Sequence, residues 1–205
     1  MLHIGQVLAR SFKLLVRHPL GIIWLMVQAL LVSIFSLGLM AGPMQVGLYT
    51  VLLRYVRSGD WNPEALWGKA TMDNTMAGMV FAASALAAFA VGMPVAVPNP
   101  LLASVLSYVG LVAFHLLWFY TFQVIADDDQ VWPKAIRKGW DLMQRGGLGQ
   151  HFLLIAILEL LVLVSTLGTQ VPFQVATYLL LLGFSTVART VAYAQLVPSK
   201  PLGSE

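Results

Sequence analysis

The run LLIAILELLVLV, residues 153–164, holds one carboxylate, Glu159, among aliphatic side chains. Two more ionisable groups have similar surroundings: Arg189 in LLLLGFSTVARTVAYAQL (179–196) and His115 in FHLLWFY (114–120). An ionised side chain is costly in hydrocarbon, so each should face protein or water. A carboxylate opposite a guanidinium can form a buried ion pair that fixes helix packing, or line a path as a proton or solute site. His115 adds metal ligation in a haem or chlorophyll site, beside a plainer role as a hydrogen-bonded packing residue.

Counting along helices at about 1.5 Å per residue puts the three at one depth. Glu159 lies nine residues from Gln150, Arg189 eight from Val197 and His115 eleven from Ala126. Helical rotation places Tyr178 and Ser185 on the face of Arg189, with Gln174 and Tyr193; Glu159 aligns with Thr166 and Gln170, and His115 with Ser104 and Tyr108. The expectation is one buried polar cluster of His115, Glu159, Arg189, Tyr178 and Ser185, with Glu159 opposite Arg189. No Gly-rich phosphate loop, HExxH or GxSxG occurs, so no catalytic constellation and no metal or cofactor site is expected. The chain has no cysteine, which removes thiol chemistry and disulfides.

The elements that must hold this cluster are helices in a membrane. Of 205 residues, 59% are hydrophobic and 10% charged, too little polar surface for a soluble domain of this length. Crossing the hydrocarbon takes roughly 20 apolar residues. Runs of that character fall at 19–41, 75–97, 101–126, 150–167 and 171–197, with a shorter one at 43–55. The expected fold is an all-α polytopic bundle of about six spans forming a single domain over 1–205. The first apolar run is too long for a signal-peptide core and is read as a retained helix.

Lys and Arg number 12 against 9 Asp and Glu, a formal charge of +3. Eleven of these cations, from Arg10 to Lys200, fall in segments on one side, while the turns at 41–43, 94–100 and 168–172 carry none. By the positive-inside rule both termini face the cytoplasm, in a multi-pass protein of the cytoplasmic (inner) membrane. No basic block interleaved with aromatics suggests nucleic acid.

Three cytoplasmic stretches read as interfacial helices. In VWPKAIRKGWDLMQR (131–145), Trp132 and Trp140 share an apolar half with Ala135, Gly139 and Leu142, opposite Lys134, Arg137 and Lys138. Near the N-terminus Arg10, Lys13 and Arg17 form a polar stripe with Gln6, opposite Ile4, Leu8, Phe12 and Leu15. PEALWGKA (63–70) is a weaker version. Asp127, Asp128 and Asp129 read as a helix-start cluster for the 131–145 helix. Each interfacial helix precedes two spans, giving three units, 1–57, 63–126 and 131–197. RSFKLLVRHPLG (10–21) laid on KGWDLMQRGGLG (138–149) matches Leu14 with Leu142, Arg17 with Arg145, Leu20 with Leu148 and Gly21 with Gly149.

AGPMQVGLYTVLLRYVRSGDWNPEALW (41–67), ADDDQVWPKAIRKGW (126–140) and the closing YAQL (193–196) resemble a group of uncharacterised bacterial six-helix membrane proteins. That group is similar to the membrane domain joined to some glycerophosphodiester phosphodiesterases. The resemblance implies the six-helix layout and carries no catalytic residues, since the chain has no phosphodiesterase domain. The leading expectation is a non-enzymatic scaffold or accessory subunit that packs against lipid and other membrane proteins. The alternatives are a small permease or proton-coupled transporter using Glu159, Arg189 and His115, and a pigment or haem carrier using His115.

Overall fold

A computed structural model describes residues 1–90, 99–164 and 171–197. Among these residues the chain is helical, without strands: α1 (Ile4–Arg17), α2 (Pro19–Phe35), α3 (Ala41–Ser58), a 3-10 turn (Pro63–Leu66), α4 (Met72–Ala90), α5 (Pro100–Trp118), α6 (Thr121–Asp128), α7 (Trp132–Gly146), α8 (Leu148–Val164) and α9 (Val171–Leu196). Among the described residues two apolar stretches are long enough to cross a membrane alone, 101–128 and Val171–Leu196. Two sharply bent pairs, α1 with α2 at 93° and α7 with α8 at 104°, raise that number to four if each pair is one span. Apolar side chains of α2, α5, α8 and α9 such as Trp24, Phe35, Leu101, Phe152 and Phe173 are exposed, as suits contact with acyl chains.

The shortest of the expected spans forms the centre. α3 packs against α2, α4, α6, α9 and the 3-10 turn, and most of its residues are buried. Apart from Gln45, the Tyr49 hydroxyl and Thr50 it is apolar until Arg54, Arg57 and Ser58 in its last turns, the pattern of a helix enclosed by others. Two of its glycines make the enclosure tight. A Cβ at Gly42 would overlap the Asn74 carbonyl oxygen of α4, and one at Gly47 would overlap the Leu66 carbonyl oxygen of the 3-10 turn.

The chain reverses earlier than the 19–41 reading expects. α2 stops at Phe35, and the turn that follows puts Leu37 and Gly38 at φ of 53° and 86°. Ser36 holds this turn, its Oγ accepting from the Met40 N–H at 2.9 Å. Pro43 therefore lies inside the first turn of α3, where its missing N–H costs nothing. The far end of the third expected span, much of the 94–100 turn, the end of the fifth span, and Thr166, Gly168 and Gln170 lie outside the described residues.

α5 starts under a side-chain cap. Asn99 Oδ1 accepts from the N–H groups of Leu101 and Leu102 at 3.0 and 3.1 Å, with Pro100 at the first helical position. Asn99→Ala should cost about 1 kcal/mol of stability. The check is SDS-titration unfolding of the purified protein, where an unchanged midpoint would contradict it.

The two bent pairs are built differently at their corners. Gly147, at φ 96°, turns α7 into α8. His151, fully buried, pins this corner: its ring nitrogens lie 2.8 Å from the Gly147 carbonyl oxygen and 2.8 Å from the Tyr120 hydroxyl. With Nδ1–H donating to the carbonyl, Nε2 is left to accept from Tyr120. At the other corner His18 stacks on Trp61 with ring centres 5.4 Å apart, and the Tyr55 hydroxyl donates to the Leu14 carbonyl at 3.1 Å.

The amphipathic reading of α1 needs rotating. Its buried face is Val7, Ser11, Leu14 and Leu15, docked on α9, while Phe12 is 62% exposed. Arg10 reaches over to donate to the Val56 carbonyl at 2.7 Å, a cation at the end of α3 where helix carbonyls lack partners. Lys13 and Arg17 remain exposed. In α7, Ala135, Gly139, Leu142 and Met143 are buried, Trp132 packs against the core and Trp140 is exposed.

Candidate functional site

Four helices bring polar side chains to one cavity of about 300 Å³ inside the bundle. α8 supplies Glu159, α5 His115, α9 Arg189, Ser185 and Tyr178, and α3 Gln45 and Tyr49. All five residues of the expected polar cluster therefore line the same space. Glu159 Oε1 is the meeting point: Arg189 Nη2 donates to it at 3.1 Å and His115 Nδ1 stands 2.7 Å away. The histidine contact is close but poorly aligned with the ring N–H direction, so it is an electrostatic contact more than a directed hydrogen bond.

The three side chains are only 10–16% exposed. Ions so far from water must compensate one another, and the Glu159–Arg189 pair does so. Arg189 also lies over the Phe119 ring, 5.6 Å from its centre, and within hydrogen-bonding reach of the Tyr49 phenol. Its Nε is buried without a hydrogen-bond partner. Part of the lining is aromatic. Phe81, Trp118 and Phe122 are in mutual ring contact at 5.3–5.4 Å, and Trp118 Nε1 is fixed by donation to Ser84 Oγ at 2.9 Å.

The polar stripes continue less uniformly than rotation alone suggests. Ser104 and Tyr108 line a separate groove between α4 and α5, with Ala85 and Ala88, and do not reach the His115 cavity. Tyr178, 39% exposed, sits where the cavity meets an apolar groove between α2 and α9 that also contains Gln174. Gln45 and Tyr49 are inconspicuous in the sequence because neither is charged and both lie in the shortest apolar run. Their i, i+4 spacing on α3 was the available signal.

A second ionic layer lies at the ends of α3, α6 and α9. Asp127 and Asp128 close α6, and Asp129 follows at φ 50°; α7 begins only at Trp132, after Val131. The three aspartates thus sit at a helix C-terminus, the unfavourable end for negative charge, and not at a helix start. Cations from elsewhere offset this. Arg57 grips Asp127 with two bonds of 2.5 and 2.9 Å, Lys138 pairs with Asp128 and Lys69 with Asp129. Tyr193 also donates to Asp127 at 3.0 Å, and Arg57 to the Val197 carbonyl at 3.2 Å.

No protein-family model, curated protein or solved structure matches this chain. The chemistry of the site rests on its own geometry.

Proposed function

We propose that the chain is a small proton-coupled permease of the cytoplasmic membrane, with Glu159 as its proton-accepting group and Arg189 and His115 as its partners. The observation that carries this reading is the cavity itself. A carboxylate, a guanidinium and an imidazole converge on a space of about 300 Å³, the low end of small-molecule pocket sizes. An ion pair serving only to lock two helices needs no such space beside it, nor a phenol and an amide from a third helix aimed at it.

The layout in this reading is six spans with both termini in the cytoplasm, supported by the distribution of Lys and Arg along the chain. In it α3 crosses as an enclosed central helix. The two right-angled pairs, each an amphipathic helix leading into an apolar one, fit a repeated unit and the six-helix family that the sequence resembles.

The test is proteoliposomes loaded with a pH-sensitive dye and challenged with panels of carboxylates, amino acids and organic cations. At least one class should drive proton movement through the wild type, and Glu159→Gln, which keeps a hydrogen-bond acceptor for Arg189, should abolish it while leaving melting and monodispersity intact. Solute-independent behaviour matching protein-free vesicles would overturn the reading.

A second reading, an accessory subunit, draws on a different observation. Small residues Ala85, Ala88, Ser104 and Ser107 open an apolar groove of about 740 Å³ between α4 and α5, a place where another membrane helix could approach closely. Purification in mild detergent with mass spectrometry of co-purifying membrane proteins tests it.

A further inference from the structure

The lining of the Glu159 cavity narrows what it could hold. Among the described residues Arg189 is the fixed cation on this space, and its guanidinium is only partly used: Nη2 binds Glu159 while the buried Nε has no hydrogen-bond partner. A guanidinium presents its donors as a planar fork suited to two carboxylate oxygens. The same cavity is lined by the Phe81, Trp118 and Phe122 rings, an apolar aromatic cluster in which Trp118 and Phe122 stack and Phe81 stands edge-on to both. We infer that the site takes a small, water-soluble monocarboxylate with an apolar or aromatic body, and that the acid replaces Glu159 on Arg189 only when Glu159 is protonated. This inference rests on the permease reading above and names its substrate class.

Charge balance sets the coupling. With Glu159 ionised, its pair with Arg189 is closed, and an incoming carboxylate would add an uncompensated negative charge in a water-poor interior. With Glu159 protonated and no ligand, Arg189 is left uncompensated instead. Proton and acid entering together keep the site at zero: one proton passes from water to a Glu159 oxygen, and the Arg189 pairing passes to the ligand carboxylate. The O–H bond formed on Glu159 replaces one broken in hydronium, and no other covalent bond changes.

The groups facing Glu159 agree with an anion as ligand. α5 brings His115, α9 brings Arg189 and, farther out, Tyr178, and α3 brings Tyr49 beside Arg189. α7 packs on α8 but contributes no side chain to this cavity among the described residues. Glu159 Oε1 is thus already flanked by a guanidinium and an imidazole, which leaves a ligand ammonium to sit among donors and cations.

The experiment measures benzoate binding to the full chain in nanodiscs between pH 5.5 and 7.5, with empty nanodiscs subtracted. Wild-type affinity should strengthen about tenfold per unit of acidification, the slope of one linked proton. Glu159→Gln should bind benzoate with no pH dependence, His115→Gln should retain the slope whatever its affinity, and a normally melting Arg189→Gln should not bind. A flat wild-type profile overturns the inference, as does a slope that survives in Glu159→Gln and vanishes in His115→Gln. Preference for palmitate over benzoate overturns it in favour of an acid delivered from the bilayer. Preference for benzylamine, with proton flux driven by the same solute, overturns the carboxylate class and leaves the permease reading standing. Proton-linked benzoate binding without solute-driven flux sinks the permease reading alone.

Discussion

Gly42→Val and Gly78→Val should each leave little or no folded protein in mild detergent. The two glycines face each other where α3 crosses α4. A Cβ at Gly42 would overlap the Asn74 carbonyl oxygen and stand 2.6 Å from the Gly78 nitrogen, and one at Gly78 would run into the backbone of Gly42. The obstructing atoms are backbone, which cannot swing aside as a side-chain tip could. Ordinary overpacking costs about 1–3 kcal/mol because neighbours adjust. Here two helices must part, and α3 is enclosed on its other sides by α2, α6 and α9, so the loss should reach about 4 kcal/mol or more, the range reserved for severe lesions. Gly5 and Gly149 meet nothing within 4 Å, and Gly5→Ala and Gly149→Ala should leave stability equal or slightly higher. Fluorescence-detected size-exclusion chromatography with a melting curve separates the two pairs. A monodisperse Gly42→Val that melts like wild type would show that the crossing is not close.

The same glycine shows where sequence reading stops. Gly38 and Gly42 stand four apart, and their spacing suggests either a close helix approach or a chain reversal. Both occur, but separately: Gly38 makes the turn and Gly42 makes the approach, and the partner of Gly42 is Gly78, on another helix. Pairwise proximity between helices is absent from periodicity, which reports one helix at a time. Depth, by contrast, is additive along each helix, which is why counting residues from the span ends places His115, Glu159 and Arg189 at the level where they meet. The aspartates at 127–129 read as a helix start for a related reason. A negative cluster just ahead of an amphipathic segment looks like a helix start, but the apolar run before it stays helical through Asp128, past a local break near Phe119 and Tyr120. Their true role depends on Arg57, 70 residues away, and on Lys69 and Lys138. Likewise, α1 presents Ser11 and not Phe12 to the core because α9 is its neighbour, a fact no helical wheel contains.

Arg57→Met should be among the most damaging single changes that alter no backbone packing. The guanidinium joins the ends of three helices: it is bidentate to Asp127 at the end of α6 and donates to the Val197 carbonyl just past α9, from its own place in the last turn of α3. Removing it leaves a carboxylate, 18% exposed, beside the negative end of the α6 dipole with Tyr193 as a remaining donor. Breaking a buried pair by deleting one partner typically costs 3–5 kcal/mol; with about a fifth of each side chain reaching solvent, a loss of about 2–4 kcal/mol is expected. Lysine should recover part of this, since it restores the charge without the two parallel bonds. The double variant Arg57→Met/Asp127→Asn should recover most, because the charge that Arg57 balanced is gone while an oxygen remains to accept from Tyr193. The sign of the pH effect follows from the same charge: acidification that protonates Asp127 removes the penalty, so the gap between wild type and Arg57→Met should narrow as pH falls through the carboxylate range. Melting curves of the single and double variants at neutral and acidic pH measure both effects. A double variant no more stable than the single, with a gap indifferent to pH, would mean that Arg57 acts through its packing and not through its charge.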